Sequence, residues 1–70
     1  MYLAALRTRA GLSQVQAAQI LNVSQSAVTQ WETGRMVPRK GKIPLIAEAY
    51  GATVEAVLDA IRKDKEEVTA

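Results

Sequence analysis

The chain contains no cysteine and no histidine in its 70 residues. Without cysteine there is neither a disulfide nor thiolate chemistry, and with histidine gone too the usual zinc ligands are missing. The missing imidazole removes the commonest general acid–base, and no paired-carboxylate layout suited to catalysis stands out, so an enzyme is not expected. Long apolar runs are also lacking. The longest span only a few residues, whereas a bilayer needs about 20. Arg7 and Arg9 interrupt the first apolar stretch, which is not the layout of a secretory leader. Strand-type alternation is absent throughout. The expectation is one small cytoplasmic domain over 1–70, with no cofactor, no metal, no small-molecule ligand and no membrane partner.

Charge is present but unevenly placed. The net charge of +2 says little by itself. Residues 1–42 carry six basic side chains and one acid, Glu32, for +5, while 43–70 carry three basic and six acidic, for −3. The first part is therefore suited to an anionic partner and the second is not.

Apolar residues recur at helical spacing, which predicts five short helices and an all-α fold. Helix 1 covers 2–10, with Leu3, Leu6 and Ala10 on one face and Gly11 as its stop. Helix 2 follows Ser13, which forms a capping-box pattern with Gln16. Its inner face is expected to be Val15, Ala18 and Leu21, with Ala17 alongside. Asn22 tolerates the left-handed conformation that ends a helix. Helix 3 follows Ser24, an N-cap residue, and turns Ala27, Val28 and Trp31 inward. Gly34 ends it, and 35–42 form a basic loop. Helix 4 covers 42–50 with Pro44 in its first turn, where a missing N–H costs little, and buries Ile43, Ile46, Ala47 and Tyr50. Helix 5 follows Thr53 and is expected to bury Val54, Val57, Leu58 and Ile61. The core is thus read as 2–61, and 62–70 as a charged tail that frays. The start at Met1 and the charged tail suit a complete small protein.

The most informative segment is 14–33, where two amphipathic helices meet at a tight turn, Leu21-Asn22-Val23. Ala18 sits where the helices come closest, and Leu21, Val23, Val28 and Trp31 fill the apolar positions around it. Leu12-Ser13-Gln14 opens helix 2, Val23-Ser24 leads into helix 3, and Trp31-Glu32-Thr33-Gly34 closes it. Tyr50-Gly51-Ala52-Thr53, followed by Val57-Leu58, forms the junction of helices 4 and 5. With this ordered spacing, residues 6–58 resemble the lambda-repressor-like helix-turn-helix domain of the Cro/Xre type, found in phage and bacterial regulators. Asn22 stands where that family usually has glycine, Pro44 interrupts the usual helix 4 pattern, and the N-terminal arm of some relatives is not expected before helix 1.

The resemblance implies that helix 3 lies in the major groove of double-stranded DNA. Its base readers would be Gln25, Ser26, Thr29 and Gln30. Glutamine pairs with adenine N6 and N7, and a threonine methyl meets the thymine methyl, so these contacts favour A·T pairs. Gln14 at the start of helix 2 would approach a phosphate and brace the first glutamine of helix 3. Ser24 would cap helix 3 and touch phosphate. Arg35, Arg39, Lys40 and Lys42 would neutralise phosphates from the loop. Arg7 and Glu32 would form an ion pair that pins helix 1 to the end of helix 3, a structural role. Trp31 is expected in the core. Family members pair as two-fold homodimers on an operator, acting by occupancy in a bacterial or phage-infected cell. Met36 and Val37, apolar residues in a loop, and the helix 4–5 side are the two candidate dimer surfaces, with the helix 4–5 side favoured. An antitoxin, a restriction-modification controller, or an interaction module that has lost DNA binding are alternatives.

Overall fold

The computed structural model describes residues 1–69, with side chains to Glu67. Among these residues there are five α-helices, one 3₁₀ turn and no strand: α1 (Tyr2–Arg9), α2 (Gln14–Leu21), α3 (Gln25–Glu32), the turn Lys40–Lys42, α4 (Ile43–Tyr50) and α5 (Val54–Thr69). The all-α, five-helix architecture read from the sequence is the one observed. No helix among the described residues is long and apolar enough to cross a membrane.

The boundaries follow from local chemistry. Ser13 Oγ accepts the Gln16 N–H at 3.1 Å while Gln16 Oε1 accepts the Ser13 N–H at 2.8 Å, so the capping box at α2 is closed in both directions. Asn22 takes φ 56° and ψ 47° and ends α2, which lets the Val23 N–H return to the Ala18 carbonyl at 3.0 Å. Ser24 Oγ accepts the Ala27 N–H at 3.1 Å and starts α3 only two residues later. Pro44 lies in the first turn of α4, where proline's fixed φ suits a helix start.

The core is one cluster with contributions from every helix: Leu3; Ala17, Ala18 and Leu21; Val28 and Trp31; Ile43, Ile46, Ala47 and Tyr50; Val57, Ala60 and Ile61. Alanines at 17 and 18 let α2 lie close to its neighbours, and Leu6, Leu12, Val23 and Ala27 pack against the cluster half-buried. Helix α1 packs on α5, α2 on α3, and α4 on both α2 and α5.

Four inward assignments differ from the sequence reading. Val15 is 47% exposed, and Ala17 occupies the inner position instead. Val54 and Leu58 are exposed, so α5 turns Val57, Ala60, Ile61 and Asp64 inward. Both sets in α5 obey helical spacing. Asp64, one turn beyond Ala60 and Ile61, is buried with the second set. Ala10 lies just beyond α1 as its exposed C-cap.

The charged segment after Ile61 continues α5 to Thr69, and Asp64 ties it to α1. Helix α1 has no side-chain cap from its own N-cap residue, Met1, and no acid in its first turn. The Tyr2 N–H donates to Asp64 Oδ1 at 2.6 Å and the Leu3 N–H to Asp64 Oδ2 at 2.9 Å. A carboxylate from the far end of the chain thus supplies two acceptors and a favourable charge at the positive end of the α1 dipole. Asp64→Ala leaves both amides without that partner and should cost about 1–3 kcal/mol in urea unfolding. Asp59→Ala, which breaks only surface pairs with Arg62 and Lys63, should cost clearly less. Equal effects would remove the special role of Asp64.

Candidate nucleic-acid interface

Because Val28 and Trp31 face the core, the remaining positions of α3 must face outward. Gln25, Ser26 and Thr29 are exposed and Gln30 is half-buried. All four lie on one face: Gln30 Nε2 donates to Ser26 Oγ at 3.2 Å, and Thr29 Oγ1 lies 3.1 Å from the Gln25 carbonyl oxygen. Ser26, Thr29, Gln30, Thr33 and Arg35 line a shallow groove along this face. No charge lies on it until Arg35, which is exposed at its C-terminal edge.

The flanking cations divide. Arg35, Arg39 and Lys40 are exposed, and no ion pair joins them to a described carboxylate. Lys42, expected from the sequence at a phosphate, is half-buried and already holds a partner within the fold. Its Nζ donates to the Leu21 carbonyl at 2.7 Å, where the C-terminus of α2 leaves carbonyls without helical partners. Lys42 is therefore a brace between the 3₁₀ turn and α2. Ser24 is occupied as the α3 cap while remaining exposed.

Behind the face lies an ion pair. Arg7 Nε donates to Glu32 Oε2 at 2.6 Å, with Arg7 11% and Glu32 1% exposed. Arg7 Nη1 also donates to the Leu12 carbonyl at 2.7 Å. The guanidinium thereby holds the end of α3 and the loop entering α2 together. Gln14, half-buried at the start of α2, joins this group: its Nε2 donates to Glu32 Oε1 at 2.9 Å. Its Oε1 faces α3, 3.4 Å from Gln25 Nε2 and 3.3 Å from Thr29 Oγ1. The sequence pointed to each residue but missed the contact between Gln14 and Glu32. The one available signal was that Glu32 is the sole acid of 1–42.

The core-facing side of the pair meets Tyr50. Burial, and secondarily the Glu32 charge, push the Tyr50 phenol up to about 12, against a smaller lowering by Arg7. The Tyr50 hydroxyl has no hydrogen-bond partner. Spacing identified Tyr50 as core but gave no hint of this unpaired group.

Two helices joined by a three-residue turn, with a polar, uncharged outer face on the second, form the geometry that the sequence resemblance implied. The profile of the helix-turn-helix domain family matches residues 1–61. The chain belongs to that family. A curated relative, the HTH-type transcriptional activator BcrR of Enterococcus faecalis, is 34% identical over 53 residues, covering 76% of this chain and 26% of the relative. The chain thus spans about a quarter of that relative's length. No solved structure gives a significant match.

Two predictions follow from the buried group of this helix-turn-helix domain. Arg7→Ala strands the Glu32 carboxylate and should lower stability by about 3–5 kcal/mol in chemical denaturation; an unchanged midpoint would show the pair to be dispensable. Tyr50 holds its proton more tightly in the folded state, so the stability it lends is full below pH 10.0 and is lost as pH rises towards about 12. Tyr50→Phe should match the wild type at neutral pH or exceed it by up to about 1 kcal/mol. Its stability should also fall less steeply across that alkaline window.

Proposed function

We propose that this chain is one DNA-binding domain that regulates transcription by sequence-specific occupancy of an operator as a homodimer, with α3 in the major groove. The observation that carries this reading is the outer face of α3. Gln25, Ser26, Thr29 and Gln30 offer hydrogen-bonding groups at helical spacing without charge, and the exposed Arg35, Arg39 and Lys40 follow in the adjoining loop. Base edges are read by neutral amides and hydroxyls, while loop cations supply affinity from the phosphates. Family membership supports the reading, as does a relative named as a transcriptional activator.

The dimer is supported by apolar surface. Leu45 of α4 and Val54 and Leu58 of α5 are 49%, 39% and 49% exposed, and they lie on the α4–α5 side that a second copy would cover. A dimer sets two recognition helices about 34 Å apart, one DNA turn. Bound over a promoter, it blocks polymerase or contacts it to recruit it. Such a regulator works in the cytoplasm of a bacterial or phage-infected cell.

Selection from a random pool of duplexes should enrich two inverted half-sites about 10 base pairs apart, with A·T pairs at the most discriminating positions. With two or three loop cations per subunit on phosphates, the slope of log K against log salt should be about −4 to −5. No enrichment at low salt, or a slope near zero, would overturn the reading.

A further inference from the structure

We propose that Glu32, which touches no solvent-exposed reader itself, sets the donor–acceptor sense of the reading face through Gln14. The proposal rests on the DNA-reading function above and deepens it by making Glu32 a positioning residue for base choice.

The argument begins with what a carboxylate can do. Glu32 is ion-paired with Arg7 and 1% exposed, and an ionised carboxylate accepts hydrogen bonds but never donates. Gln14 can approach its Oε1, at 2.9 Å, only with the NH₂ end of its amide. The opposite end of that amide, the Oε1 oxygen, is thereby turned towards α3. It can only accept, so both α3 groups that face it must donate. Gln25 does so with Nε2 and Thr29 with its hydroxyl, at 3.4 and 3.3 Å. The Thr29 hydrogen is shared with the Gln25 carbonyl at 3.1 Å, which keeps that hydroxyl pointed along the helix.

The consequence falls on Gln25. Its amide carries two hydrogens and one oxygen, and one hydrogen is committed to Gln14. What remains for DNA is one acceptor and one donor. Adenine offers the complementary N6 donor and N7 acceptor, whereas guanine offers two acceptors, O6 and N7. A free glutamine can turn both hydrogens towards guanine, but a Gln25 held by Gln14 cannot. The carboxylate therefore acts as a fixed polarity at the root of a three-residue chain, and the chain disfavours guanine at the position Gln25 reads. Arg7 holds Glu32 in place, and its second bond to the Leu12 carbonyl fixes the entry to α2 in the same frame.

The test uses the whole chain and two duplexes that differ by A→G at one position. That position is the one whose preference disappears in a selection with Gln25→Ala. Wild type should prefer the A duplex by about tenfold or more. Gln14→Leu removes the relay while leaving the Arg7–Glu32 pair, and its A-to-G ratio should fall to about twofold or less; any affinity loss common to both duplexes cancels in the ratio. Glu32→Gln, whose amide presents either end to Gln14, should lose the ratio as well. The exchange Gln14→Glu with Glu32→Gln should restore it, because residue 14 then accepts from both sides. A retained ratio in a folded Gln14→Leu overturns the relay. An exchange variant that folds and binds without restoring the ratio also overturns it. Absence of specific binding by the wild type would instead overturn the DNA-reading function.

Discussion

The Arg7–Glu32 ion pair is the constraint on which the rest of the molecule depends. One guanidinium reaches three segments: its own helix α1, the Leu12 carbonyl at the entrance to α2, and the carboxylate at the end of α3. Buried pairs add little net stability, since desolvation offsets most of the attraction. Their value lies in direction. Hydrogen bonds to a planar guanidinium hold fixed angles, whereas the apolar contacts that complete the core are non-directional. In a domain this small, leucine and alanine packing alone would leave α2 and α3 free to slide by fractions of an ångström. The pair removes that freedom at the two places furthest from the turn between them, the entrance to α2 and the end of α3.

Much of the fold was legible because the sequence marks helix ends with residues of known backbone preference. Ser13, Ser24 and Thr53 precede helices, and Asn22 and Gly51 follow them at φ 56° and 62°. The outward face of α3 was equally legible, since Val28 and Trp31 leave the polar positions only one direction. What escaped was polar chemistry directed inward. Asp64 sits in a run of charges and resembles its neighbours in every property except where α1 ends up. Lys42 resembles Lys40 until the end of α2 is placed beside it. The unpaired Tyr50 hydroxyl and the Gln14–Glu32 bond likewise depend on distances between segments far apart in the chain. Periodicity reports which side of a helix is greasy; it carries no information about which polar group crosses to another helix.

The proposed interface separates recognition from attraction. The exposed cations Arg35, Arg39 and Lys40 lie in a loop, and α3 carries no charge until its final residue. That residue, Glu32, is turned away from the face. In the proposed binding mode, sequence preference could change by substitution on α3 without altering the electrostatic pull, and the loop could change without altering preference.

The contact between Asp64 and the first turn of α1 joins positions 61 and 62 residues apart. Closing so long a loop carries a large entropic cost that local helix formation does not repay. During synthesis, α2 and α3 can form their caps from neighbouring residues as soon as these emerge. Helix α1, although it precedes the other four, must wait for the later part of α5 before its Tyr2 and Leu3 amides find this acceptor. It is therefore among the last segments of the domain to be secured, and Arg7, which lies on it, reaches its permanent place with it. Securing α1 and fixing the end of α3 become a single event.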